Sequence, residues 1–147
     1  MTLEEINQNS PLSRAYKRLT ENYSNVILSH SAALELLGYF SGYGNETEIE
    51  YYSDRDLNAE NAICHLVPEG KMPNKVLRRY FIYCTDTDKT FEDILLDHDR
   101  IDDAVICESL GSYYYENGET FDNLNLSDEA RAILASYADD AINYFNM

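Results

Sequence analysis

Residues Cys84–Tyr114 read CTDTDKTFEDILLDHDRIDDAVICESLGSYY, and a change of period inside this stretch decides the fold. On its N-terminal side, Val76 to Cys84 is enriched in Val, Ile, Tyr and Leu, the residues that suit a pleated, half-buried strand. Beyond Thr85 the apolar residues recur at three- and four-residue spacing instead. Thr87 or Asp88 is placed to cap a short helix that carries Phe91, Ile94 and Leu95. Asp102 is placed to cap a longer one through Val105, Ile106, Leu110 and Tyr113 to Gly118. Strands therefore give way to helices here.

The flanking segments divide in the same way. Ser127 precedes a final helix in which Ala130, Ile133, Leu134, Tyr137, Ala138, Ala141 and Ile142 share one face. In the other direction, Glu48 to Tyr52 and Ala62 to Val67 read as strands, and Pro68, Gly70 and Pro73 punctuate the loop that follows. Ser29 or Ser31 caps an almost wholly apolar helix through Ala32, Ala33, Leu36 and Leu37 that stops at Gly38, so that helix is expected to be buried. Val26 to Leu28 is a short strand, and Ser10-Pro11 opens an N-terminal helix that runs to about Asn22. The expected architecture is α+β: a small mixed or antiparallel sheet flanked by helices, with a helical C-terminal third. One domain spans residues 1–147, made of a helix and lead-in (1–28), a helix plus sheet (29–84) and an acidic helical part (85–147).

Composition narrows the function. The 147 residues carry 11 Lys and Arg against 27 Asp and Glu, a net charge of -16. A field that negative repels phosphates and anionic headgroups, which makes direct nucleic-acid binding a poor expectation. Residues 1–80 hold 8 basic and 11 acidic side chains, and residues 81–147 hold 3 and 16, so the excess lies in the C-terminal half. No apolar run of about 20 residues is present to span a membrane. Cys64, Cys84 and Cys107 are odd in number and lack CxxC spacing, and no secretory signal opens the chain, so reduced thiols in a cytoplasm are expected.

Sites for chemistry are scarce. His30, His65 and His98 show no metal-ligand spacing to one another, and Cys64 beside His65 would point to the opposite face of a strand. Structural roles are expected for all three. Ser29-His30-Ser31 sets nucleophile and base side by side, but helix neighbours do not face each other and the serines serve as caps. The acids of Asp97–Asp103 lack the Gly and the terminal Glu of a calcium loop and read as charges at a helix start. No catalytic residue, metal or cofactor is assigned. Lys71, Lys75, Arg78 and Arg79 form the main basic patch, expected to pair with the acidic half.

Thirteen tyrosines stand without a tryptophan, and Tyr113, Tyr114 and Tyr115 in succession cannot all be buried on one helix. Exposed tyrosine beside carboxylates is the composition of a protein-binding surface: rings supply contact area, and acids steer a basic partner.

SHSAALELLG (Ser29–Gly38), followed by strands and then by the Cys84–Tyr114 stretch, resembles the effector portion of the AbiE-type abortive-infection antitoxins. The resemblance rests on Ser31, Ala32, Leu34 and Gly38, then Thr85, Asp88, Lys89, Thr90, Asp93, Ile94 and Leu95, and then Glu108 and Leu110. It covers roughly residues 26–115. The resemblance implies an antitoxin that neutralises a nucleotidyltransferase-like toxin. Only 28 residues precede Ser29, so the effector part is expected without the winged helix-turn-helix that family members carry.

The expected function is an acidic, antitoxin-like or immunity-like inhibitor that blocks a basic, nucleic-acid- or nucleotide-acting protein without catalysis. Its expected contact residues are Asp97, Asp99, Asp102, Asp103, Glu108, Tyr113, Tyr114, Tyr115, Glu116, Glu119, Asp139 and Asp140. Two alternatives are a small metal-dependent enzyme built on Asp54, Asp56 and His65, and a DNA-binding regulator that uses residues 71–79.

Overall fold

A computed structural model of the chain describes residues 16, 19–20, 25–41, 48–78 and 82–146. It confirms the α+β class. Five strands, β1 (Ile27–Leu28), β2 (Ile49–Ser53), β3 (Ala62–Leu66), β4 (Lys75–Leu77) and β5 (Tyr83–Thr85), form one sheet in the order β3-β2-β1-β5-β4. The sheet is mixed: β1 pairs antiparallel with β2 and parallel with β5, β2 pairs parallel with β3, and β4 pairs antiparallel with β5. The helices are α1 (His30–Leu37), α2 (Thr87–Leu96), α3 (Asp103–Glu116) and α4 (Asp128–Asn143). The N-terminal helix expected from Ser10 to Asn22 falls largely outside the described residues. None of the described helices is long and apolar enough to cross a membrane.

Residues 76–84, read as one strand, are two. Val76 stands opposite Cys84 in an antiparallel ladder, and the Arg78 amide donates to the Ile82 carbonyl at 2.8 Å. The sequence between them has no Gly, Pro, Asn or Asp to signal a turn.

Each helix starts and stops for a local reason. Asp86, one residue before the expected cap, accepts from the Lys89 amide at 2.8 Å and begins α2. Asp102 accepts from Ala104 to begin α3, and Ser127 accepts from Ala130 to begin α4. The α1 helix ends where Gly38 turns left-handed at φ +89°, with the Tyr39 amide returning to the Leu34 carbonyl at 2.9 Å.

Two apolar clusters meet at α1. Ala32, Ala33 and Leu36 pack with Leu28, Tyr51 and Cys84 against the sheet. Leu34 packs instead with Phe91, Ile94, Ile106, Leu110 and Leu134 of the other three helices. An eight-residue helix packed on both sides leaves only Ser31, Glu35 and Leu37 partly exposed, which explains its composition. The α3–α4 contact is close enough that a Cβ on Gly111 would lie 2.6 Å from the Ala141 carbonyl oxygen.

Candidate functional site

The junction of β1 and α1 carries the least expected geometry in the molecule. His30 opens α1 at φ +55°, a left-handed conformation that costs a residue with a Cβ roughly 1–2 kcal/mol. This twist turns the buried ring back over its neighbour, so that His30 Nδ1 lies 2.7 Å from Ser29 Oγ. Ser29 makes no side-chain capping bond. The two side chains do face each other, contrary to the helix-neighbour expectation, because His30 is not helical in φ.

Three further elements complete the cluster. Register pairs Glu50 with Ile63 and Tyr52 with His65, which sets Glu50 and His65 on one face of neighbouring strands. His65 Nε2 lies 2.8 Å from Glu50 Oε1, and the His65 ring stacks on that of His30 with centroids 4.6 Å apart. From the turn after α2, Asp97 meets His30 Nε2 at 2.7 Å. Arg100 donates through Nη2 to Glu50 at 2.9 Å and to Asp97 at 3.2 Å, closing a ring of charge. His30 and His65 are therefore not isolated, as their spacing in the chain suggested.

Burial favours the neutral form of Glu50, yet the hydrogen bond from His65, the charge of His30 and the Arg100 guanidinium outweigh it and hold the carboxyl below its ordinary range. The same balance, with His30 and Arg100 as the opposing partners, lowers Asp97. Bonding to Glu50 raises Arg100. An open-sided cavity of about 330 Å³ adjoins the cluster, lined by Ser31, Glu48, Glu50, Ile63, Arg100 and Asp102 among others. Ser29, His30 and Asp97 form a hydrogen-bonded line, in which the Ser29 hydroxyl is fully buried. Asp54 and Asp56 are exposed on the loop after β2, where Asp56 accepts from the Asn58 amide.

The expected partner-contact residues divide into three groups. Asp99, Asp102, Asp103 and Asp140 are exposed where the start of α3 meets the second half of α4, and Asp139 is exposed farther round α4. Tyr137 donates to Asp103 at 2.8 Å, and its hydroxyl is pushed up to about 12 by burial, by that bond and by the charges of Asp103 and Asp99. Burial and the charges of Asp140 and Asp103 likewise raise the Cys107 thiol. Among the described residues, no lysine or arginine forms an ion pair with Asp102, Asp103, Asp139 or Asp140. At the far end of α3, Tyr115, Glu116 and Glu119 are exposed, and Tyr114 is half-buried against Phe121.

The third group lies inside the fold. Tyr113 is 4% exposed and packs edge-on to Phe91, so it belongs to the core. Glu108 is buried and accepts from the Ser41 amide at 2.6 Å. Both are buried in the isolated chain, contrary to the exposed position expected of a contact residue. Asp97 is half-buried and committed to His30 and Arg100. In the basic patch, Lys75 lies 4.2 Å over the Tyr83 ring and Arg78 donates to the Leu36 carbonyl, while Arg79 lies outside the described residues. No protein-family model matches the chain, and no curated protein matches it.

Spacing could not reveal the His30–Glu50–His65 cluster, because its members come from three elements whose register is invisible without the sheet. One signal was legible: Glu50 and Tyr52 alternate on one strand face, as do Ile63 and His65 on the next.

Proposed function

We propose that this chain is a non-catalytic binding protein of the antitoxin or immunity kind, which occupies a basic, nucleic-acid- or nucleotide-acting surface of another protein. The observation that carries this reading is the exposed group of Asp99, Asp103 and Asp140 around Tyr137, with Asp102, Asp103, Asp139 and Asp140 unpaired by any described lysine or arginine. Clustered like charges repel, and Asp140 in the last turn of α4 also opposes the helix dipole. Such an arrangement weakens the isolated fold, and a cationic surface docked on it would reverse that cost. Tyr137 and Tyr115 supply rings beside the carboxylates.

Partner binding is by charge and shape, so association is fast and salt-sensitive. The test is affinity capture on the immobilised full chain, comparing the natural sequence with the triple variant Asp99→Asn, Asp103→Asn, Asp140→Asn. The reading expects a basic protein retained at low salt by the former and lost by the latter. Retention of the same protein by both chains would refute it.

A further inference from the structure

We propose that His30, Glu50 and His65 bind one divalent transition-metal ion of the zinc class. Two imidazoles and a carboxylate are the donor set that zinc and its first-row neighbours take up. Their ligand atoms all lie within 4.8 Å of one another. His65 Nε2 and Glu50 Oε1 are 2.8 Å apart, and His30 Nδ1 and Glu50 Oε1 are 3.8 Å apart. Two ligands about 2.0–2.1 Å from a tetrahedral ion are separated by roughly 3.3 Å, so small side-chain rotations bring the three into place.

The surroundings suit an ion as well as the donors do. Asp97 holds His30 Nε2 at 2.7 Å, leaving Nδ1 as the nitrogen turned toward Glu50. A carboxylate on the far nitrogen is the usual support of a metal-binding imidazole, since it fixes the ring and raises its basicity. The left-handed backbone at His30 is what aims that ring. Glu50 borders the 330 Å³ cavity, which provides a route in from solvent and room for a water as the fourth ligand. Glu48 and Asp102 line the same cavity and draw cations toward it.

Three contacts oppose the ion, the first being the hydrogen bond between two of its own ligands, His65 Nε2 and Glu50 Oε1. Ser29 Oγ occupies His30 Nδ1, and the Arg100 guanidinium occupies Glu50 Oε1. Every described buried side-chain polar atom already has a partner, so the cluster is satisfied without metal. Binding exchanges these three hydrogen bonds for coordination, and Arg100 keeps Asp97 when it yields Glu50. The ion is therefore a reversible ligand and not a folding requirement, and Arg100 is its competitor.

The test is calorimetric titration of the untagged full chain with zinc chloride, paired with the visible absorption of added cobalt(II). The expected result is one ion per chain, cobalt bands of four-coordinate intensity, and loss of both on His65→Ala. Asp97→Asn weakens binding about tenfold or more. Arg100→Ala tightens it, which a merely structural ring of charge would not produce. His65 is partly exposed, so its variant is expected to fold, and circular dichroism checks this. Absence of zinc binding, or binding that His65→Ala leaves unchanged, would overturn the proposal.

Discussion

The ring of His30 lies against that of His65 with 16° between their planes, and one carboxylate, Glu50, serves both. This pair ties the β1–α1 junction to the β2–β3 ladder, and Asp97 and Arg100 tie it to the turn after α2. Removing the shared acid exposes the consequence. Glu50→Gln is expected to cost about 2 kcal/mol in urea unfolding, because His65 and Arg100 lose the buried anion they share and His30 loses a neighbouring negative charge.

The same acids set the acid limit of the fold. Both Glu50 and Asp97 are held below their ordinary range, so the stability they contribute is complete above about pH 5 and is lost as the pH falls below about 4. Melting temperature followed from pH 7 to pH 3 is expected to fall along that limb, and Glu50→Gln is expected to flatten it.

Gly111 is required by packing and not by its backbone angles. An alanine there meets the Ala141 carbonyl oxygen at 2.6 Å and the Phe145 ring at 3.1 Å. Although alanine favours a helix by about 1 kcal/mol, the collision outweighs this, and Gly111→Ala is expected to destabilise by a net of about 1–2 kcal/mol. Thermal or urea unfolding checks the sign.

Asp139 and Asp140 stand in the last two turns of α4, where negative charge is unfavourable. Neutralising both, as Asp139→Asn with Asp140→Asn, is expected to stabilise the isolated chain by about 0.3–1 kcal/mol, chiefly through Asp140, while slowing its capture of a basic partner. Stability and binding that fell together would deny the trade between them.

Glu108→Ala separates interior acids from surface ones. Loss of the carboxylate removes its charge-assisted bonds from the Ser41 amide and hydroxyl, and a cost of about 1–3 kcal/mol is expected in unfolding. The salt dependence of partner association should stay as it was, since Glu108 is buried.

Periodicity carried much of the fold because its helices have strong local signals: Asp102 and Ser127 cap where expected, and Gly38 ends α1 where expected. It failed at residues 78–82, where no turn residue marks the break between β4 and β5. On α3 the composition suggested a surface, but a helix packed on two sides takes Tyr113 and Glu108 inward. The histidine cluster lay beyond reach for a different reason. It depends on the β2–β3 register and on one left-handed residue, and neither leaves a mark on local spacing.

Stopped-flow association of the full chain with the basic protein it captures tests the central claim most directly, measured from about 50 mM to about 500 mM salt. An on-rate that falls about tenfold or more over that range, and that falls likewise when Asp99, Asp103 and Asp140 become asparagine, is the expected result. An on-rate indifferent both to salt and to those three substitutions would contradict it.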